Sequence, residues 1–315
     1  MAYLSGSGTK NYPVVTLLWA LLIVSLPVVA IVSALLLAGL FRRRTSPATS
    51  EPRQVAIARP SGGLSWIYVG SAISAAALVG TAIWTFAVLG AVSAPPAPPA
   101  VTIRVTGHQW WWEVRYESDD PARIFTTANE IHIPTGQPVR IKLASSDVIH
   151  SFWVPRLSGK TDTVPGQHNE TWLEADKPGI FRGQCTEYCG MQHAHMALLV
   201  VAEPPDAFKR WWAAQLMDPP PVSSPRAIEG EKQFIVHCGA CHSVRGTPAG
   251  GRLGPDLSHL MGRRTIASGT LPNTPGYLSG WIADPQHVKP GNLMPQLELS
   301  GPQLAAVRTY LENLQ

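Results

Sequence analysis

From Pro13 to Phe41 the chain runs without one charged side chain, and Leu64 to Val92 repeats the pattern. In hydrocarbon a backbone must satisfy its own hydrogen bonds, so two apolar runs of this length are expected to cross a bilayer as helices, with some tilt. Everything else must then be arranged around a membrane hairpin occupying residues 1–92. Pro27 falls mid-run and is expected to kink the first helix, because it removes a backbone donor. A secretory signal peptide is the rival reading of the first run. Against it, the arginines follow the apolar stretch instead of preceding it, and no small-residue cleavage site stands out. Arg42, Arg43, Arg44, Arg53 and Arg59 lie between the two runs. Such clustering holds a loop in the cytoplasm, which puts the N-terminus and all that follows residue 92 on the outer side.

Composition agrees, since 45% of the 315 residues are hydrophobic and only 15% charged. The net charge of +4 is not spread evenly. Residues 1–100 hold six basic residues against Glu51, residues 101–203 nine basic and twelve acidic, and residues 226–315 eight basic and six acidic. The excess is therefore a membrane-flanking signal, and nucleic-acid binding has no support. A chain of this length suits two or three domains. In the second run Gly70, Ser71, Ser74, Ala75, Ala76, Ala77 and Gly80 are small. Helices meet closely at such a face, as expected against the first helix and another subunit.

Residues 93–100 form a stiff proline-rich link. Beyond it the period changes: Val101, Ile103 and Val105 alternate with Thr102, Arg104 and Thr106, and Val139 to Leu143 alternates likewise. Turn residues at Asn129, Pro134-Thr135-Gly136, Pro165-Gly166 and Pro178-Gly179 punctuate the segment to residue 203, which predicts a Greek-key β-sandwich. Residues 204–225 begin as an amphipathic helix around Phe208, Trp211, Trp212 and Leu216 and end in Pro219-Pro220-Pro221, the pattern of a packing helix followed by a linker.

The densest chemistry lies between Gln184 and Met196, where two cysteines, two histidines, a glutamate and two methionines share one short loop. Soft donors at this density ask for a transition metal. A single blue-copper site uses one thiolate, so Cys185 and Cys189 are one too many for it. A zinc site could take Cys185, Cys189, His193 and His195, but leaves Met196 idle. A disulfide between the two cysteines is a further alternative. Two bridging thiolates suit two coppers, each capped by an imidazole; the second imidazole must come from elsewhere, and His150 is the natural donor.

His150 followed by Cys-x-Glu-x-Cys-x3-His-x2-Met resembles the dinuclear copper (CuA) site of cytochrome c oxidase subunit II. The resemblance implies a cupredoxin fold, with Cys185 and Cys189 bridging the coppers, His150 and His193 capping one each, and Met196 and the Glu187 carbonyl as weak ligands. It also implies that the Glu187 side chain reaches a magnesium ion shared with the large subunit. His195 and Met191 have no part in the pattern and are read as loop packing. Gly107-His108-Gln109-Trp110-Trp111-Trp112 is similar to the family's aromatic segment, which makes Trp110 the residue where electrons arrive. One departure stands out: where the family carries a glutamate three residues before a tryptophan, at the mouth of a proton path, this chain has Gly63 before Trp66.

Residues 226–315 hold a second module. Cys238-Gly239-Ala240-Cys241-His242 is the Cys-x-x-Cys-His haem attachment signature, with Cys238 and Cys241 as thioether positions and His242 as the iron's proximal ligand. An amphipathic helix through Ile228, Phe234 and Ile235 leads into it. A helix capped by Ser300 and carrying Leu304, Val307, Leu311 and Leu314 closes the chain. The module resembles an all-α class I cytochrome c domain, and Met294, in a rigid Pro-Gly loop, is the expected sixth ligand; Met261 reads as core.

Together the architecture resembles subunit II of a caa-type haem-copper oxidase: a hairpin (1–92), a periplasmic copper domain (93–203), a helix and linker (204–225) and a haem c domain (226–315). That resemblance implies an inner-membrane subunit of a bacterium, with subunit I and subunit III as partners and cytochrome c or a quinol-cytochrome c reductase upstream. A linker of about 20 residues would give the two redox modules an effective concentration on the order of millimolar, with their opposite net charges aiding docking. Two other readings are the small subunit of a copper-containing nitric oxide reductase and a non-catalytic membrane-anchored protein with a zinc loop.

Overall fold

The computed structural model describes residues 4–42 and 63–315. Arg43, Arg44, Arg53 and Arg59, on which the orientation reading rests, lie outside the described residues. The chain divides into two compact units, Pro13–Ala94 and Pro95–Gln315, the second including the segment before Pro13.

The first unit holds helices α1 (Tyr12–Phe41) and α2 (Gly63–Ser93). Each is continuous, and α1 carries Pro27 without interruption. Among the described residues these two are long and apolar enough to cross a membrane. Nearly all their large side chains are exposed, as suits helices whose apolar surface faces hydrocarbon or other helices rather than a core.

The second unit begins as a β-sandwich. Its strands are β1 (Val101–His108), β2 (Trp111–Glu117), β3 (Phe125–Ala128), β4 (Glu130–Pro134), β5 (Val139–Ser145), β6 (His150–Trp153), β7 (Thr161–Thr163), β8 (Asn169–Leu173), β9 (Gly179–Cys185) and β10 (Ala197–Glu203). They form two five-stranded sheets among the described residues, ordered β3-β2-β1-β5-β8 and β4-β10-β9-β6-β7. The alternation read from the sequence is the reason: Ile103, Val105, Ile141, Leu143 and Leu198 point inward and are buried, while Arg104, Arg140 and Lys142 face out. β1 runs parallel to β5 and β4 parallel to β10, so the sheets are mixed rather than simple meanders. The segment before α1 lies on this sandwich. Ser7 N–H donates to the Arg156 carbonyl at 2.9 Å, Asn11 Nδ2 to the Pro155 carbonyl at 2.7 Å, and Thr9 Oγ1 to Glu174 at 3.0 Å.

α3 (Pro205–Leu216) seals the open end of the sandwich. Phe208 and Trp212 belong to its buried core, with Trp212 at 5.1 Å from the Tyr116 ring and 5.3 Å from Phe125. This corrects the expectation of a flexible tether of about 20 residues. Only the stretch from Met217 to Ser224 lies between α3 and the next helix.

The last module is helical: α4 (Pro225–His237), α5 (Pro275–Ala283), α6 (Pro285–Val288) and α7 (Gly301–Leu311). Ser300 caps α7 in a capping box with Gln303, and α4 packs along α7 because Gly230 leaves no side chain between it and the Ala306 carbonyl. Met261 packs on the module's core, as expected. Ile228 does not: it is exposed, and Ala227, Gly230 and Phe234 form the inner face of α4.

Because Trp212 plugs the sandwich from outside the strands, Trp212→Ala is expected to lower the stability of the folded chain by about 3 to 5 kcal/mol, read by circular dichroism during denaturant unfolding.

Candidate metal centres

The β9–β10 connection is a closed loop. Cys185 ends β9 and donates its N–H to the Met196 carbonyl at 2.9 Å, so the first and last donors of the loop are tied together by the ladder. β6 lies beside β9 with Phe152 opposite Cys185, and the Thr186 N–H donates to the Ser151 carbonyl at 3.1 Å. That register brings His150, 35 positions earlier in the chain, to the same end of the sheet.

The six sequence-predicted donors converge there. The Cys185 and Cys189 sulfurs are 3.8 Å apart and not bonded to each other. His150 Nδ1 lies 3.9 Å and the Glu187 carbonyl 3.3 Å from the Cys185 sulfur; His193 Nδ1 lies 3.5 Å and the Met196 sulfur 3.9 Å from that of Cys189. Each sulfur is thus flanked by one imidazole and one weaker donor. His150, Cys185 and Cys189 are buried, and thiolates held in a dry pocket with imidazoles make a donor set for a soft transition metal. The hydrogen bond between the two thiols pulls the Cys185 pKa down and pushes that of Cys189 up. His195 stays outside the cluster and bonds Gln192 at 2.7 Å. The Glu187 carboxylate points away from the sulfurs toward Lys160, at 3.6 Å.

The outer contacts are specific. His150 Nε2 meets Asp147 Oδ1 at 2.7 Å, which turns Nδ1 toward the sulfurs. Partial burial works against the Asp147 carboxylate, yet His150 and the main-chain N–H groups of Val148 and Gln109 outweigh it and hold its pKa below the ordinary value. A Cβ on Gly107 of β1 would lie 2.6 Å from the His150 ring, so only glycine admits the imidazole. Asp147 had no signal in the sequence and Gly107 stood out only as part of the aromatic segment, because the role of each is defined by what a distant strand presents to it.

The helical module contains a cavity of about 440 Å³ lined by Cys238, Cys241, His242, Met294, Phe234 and Arg263, among others. His242 Nδ1 donates to the Pro255 carbonyl at 2.8 Å, which leaves Nε2 free, and Gly254 allows the approach because a Cβ there would sit 2.6 Å from the ring. Met294 is held by Gln286, which donates to its carbonyl at 2.8 Å, and by Asn292, which accepts from its N–H at 2.8 Å. Arg263 is half-buried; one Nη bonds the Asp256 carbonyl, but its buried Nε lacks a partner, a charge that suits the carboxylate of a ligand in this apolar cavity. The residues fit a covalently held porphyrin.

Trp110 belongs to both places. Its ring lines the cavity, and its indole N–H donates to the Cys189 carbonyl at 2.9 Å. The two modules meet around it through bonds mostly to main-chain groups: Ser268 Oγ to the Ala197 carbonyl at 2.8 Å, Gln192 Nε2 to the Pro290 carbonyl at 2.9 Å, and the Arg264 N–H to Glu130 at 2.9 Å. Lys289, which the sequence reading passed over, is buried at the same contact, and burial pushes its pKa down to about 7.

Two apolar helices, a cupredoxin-like sandwich with a thiolate-imidazole centre and a Cys-x-x-Cys-His module define a class: membrane-anchored copper proteins with a fused c-type cytochrome. Comparison with known proteins narrows it. The family profile for the periplasmic domain of cytochrome c oxidase subunit II matches residues 117–203, and that for cytochrome c matches residues 227–315. Cytochrome c oxidase subunit 2 of Alkalihalophilus pseudofirmus is 40% identical over 217 residues, covering 68% of this chain and 61% of the relative. That of Bacillus sp. strain PS3 is 37% identical over 227 residues, covering 68% and 62%. The chain spans about three fifths of the length of these relatives. Among solved structures, the periplasmic domain of cytochrome oxidase subunit II from Bradyrhizobium japonicum is 32% identical, with a TM-score of 0.35, covering 38% of this chain and 95% of that one. The chain belongs to the cytochrome c oxidase subunit II family, in the form with a fused cytochrome c domain. The one domain implies copper and the other haem c.

Asp147→Ala is expected to weaken copper binding about 10- to 100-fold while leaving both thiols in place, measured by competition against a chelator of known affinity.

Proposed function

We propose that this chain is the electron-accepting subunit of a respiratory haem-copper oxidase, taking electrons at its haem c domain and delivering them through its copper domain to an oxygen-reducing subunit I. The observation that carries the reading is the double placement of Trp110, in the wall of the haem-module cavity and bonded to the Cys189 carbonyl of the metal loop. Bound copper and haem iron would each supply a one-electron couple at neighbouring sites.

In this reading Cys185, Cys189, His150, His193, Met196 and the Glu187 carbonyl would hold the copper, which would supply a one-electron couple there. Asp147 fixes the His150 ring. Cys238 and Cys241 would anchor the porphyrin and His242 and Met294 would hold its iron, a Met/His pair that raises the potential relative to two imidazoles. Trp110 is where electrons pass between the modules. The Glu187 carboxylate, turned toward solvent and Lys160, is the candidate magnesium ligand at the contact with subunit I. The small-residue face of α2 is exposed, which suits a partner helix of subunit I; subunit III and an upstream cytochrome c or quinol-cytochrome c reductase complete the proposed assembly. The domain limits at residues 93–203, 204–225 and 226–315 belong to the same reading.

The contacts of Ser7, Thr9 and Asn11 with the sandwich support a shared side of the membrane for the N-terminus and both redox modules. With a basic loop between the spans, that side is the periplasm of a bacterial inner membrane. At Gly63 the chain offers no carboxyl, which leaves two routes: another subunit feeds the family's proton path, or proton entry differs.

Haem-to-copper electron transfer is expected to be independent of protein concentration in stopped-flow mixing, with the assembled complex turning over oxygen. A rate that scales with concentration would refute the internal route, and turnover of nitric oxide without oxygen would reassign the terminal reaction.

A further inference from the structure

We propose that Lys289 is a positioning residue that latches the haem module onto the metal loop through Trp110, so that electron transfer between the modules depends on a side chain that ligates neither metal. The proposal rests on the electron-transfer reading above and adds what holds its geometry.

Lys289 follows α6 and is 3% exposed. Its ammonium donates to the Trp110 carbonyl at 2.7 Å, the His195 carbonyl at 2.9 Å and the Ala267 carbonyl at 3.3 Å. An ammonium has three donors and no acceptor, so these three bonds satisfy it completely. Two of the acceptors belong to the sandwich, one on the aromatic segment and one on the metal loop; the third belongs to the haem module. One side chain therefore ties three loops together at the contact between domains.

Packing alone does not explain a cation here. None of the three bonding partners is a carboxylate, and an apolar side chain of the same length would fill the space without the penalty of desolvating a charge. What the ammonium adds is directional hold. Trp110 is fixed at both ends, by Lys289 at its carbonyl and by Cys189 at its indole. The Lys289 main chain is fixed by the same bonds that shape the Met294 loop. Its N–H donates to the Pro285 carbonyl at 2.9 Å, its carbonyl accepts from Asn292 Nδ2, and Asn292 in turn accepts from the Met294 N–H. Ala267 and Ser268 have φ of 52° and 59°, a backbone region that non-glycine residues adopt only when held. They are held by this contact, Ala267 by Lys289 and Ser268 by Ala197. The latch thus joins the proposed axial methionine, the indole and the metal loop in one bonded chain.

The test uses the full chain in its assembled complex. Lys289→Met keeps the stem and removes the donors. Haem-to-copper transfer after rapid haem reduction should slow about tenfold or more, the scale expected when charge-assisted bonds to buried carbonyls are lost. The haem absorption spectrum and the copper paramagnetic spectrum should be unchanged. Ser268→Ala, which removes a bond between the domains that does not touch Trp110, should slow transfer less. Hydrogen exchange at residues 109–111 and 289–294 should rise in Lys289→Met. An unchanged rate, equal slowing in both variants, altered metal spectra or unchanged exchange would each overturn the proposal. If the unaltered protein itself passed no electrons between the modules while exchange still rose in Lys289→Met, the latch would stand and the functional reading would fall.

Discussion

Two sulfur atoms held 3.8 Å apart without a disulfide are the constraint on which the rest of the molecule depends. Three residues separate Cys185 from Cys189, close enough in sequence for a disulfide, yet the loop keeps them open. It does so because its ends are fixed by the β9–β10 ladder, with Cys185 bonded to Met196, while the neighbouring β6 delivers His150 at the level of Cys185. The sandwich is in this sense a clamp: ladder register sets the donor positions, and buried apolar strands keep water away from them. Asp147 and Gly107 then fix the ring of His150 from behind and leave room for it.

The second constraint is the seating of the helical module on that loop. α3 belongs to the sandwich by its packing, since Phe208 and Trp212 are part of the sandwich core. The helical module begins only after a short segment rich in proline. A short connection limits where the module can go, and main-chain bonds from Gln192, Ser268 and Lys289 choose one seat. In that seat Trp110 is shared between cavity and metal loop. Local bonding therefore joins two modules whose net charges alone would bring them together only loosely.

The sequence disclosed what is local or periodic. Alternation at Val101 to Thr106 and Val139 to Leu143 announced strands, and the apolar runs announced α1 and α2. The donors from Cys185 to Met196 lie within one loop, so their spacing carries the chemistry directly, as it does for Cys238, Cys241 and His242. His150 was reachable only by asking which histidine a strand end could supply. Asp147, Arg263 and Lys289 were not legible, because each acquires its meaning from a partner that register or docking brings near, and an isolated Asp, Arg or Lys looks like a solvated surface group. The length of the tether was misjudged for a related reason: residues between domains can be counted in a sequence, but whether Trp212 pins half of them to a core depends on what Tyr116 and Phe125 leave open.

The measurement that bears most directly on this account is the electron paramagnetic resonance spectrum of the oxidised protein, taken together with its metal content. Two coppers per chain, with hyperfine structure from one unpaired electron shared equally between them, is the predicted result. One copper per chain with the splitting of a single nucleus, zinc in place of copper, or Cys185 and Cys189 recovered as a disulfide would contradict it.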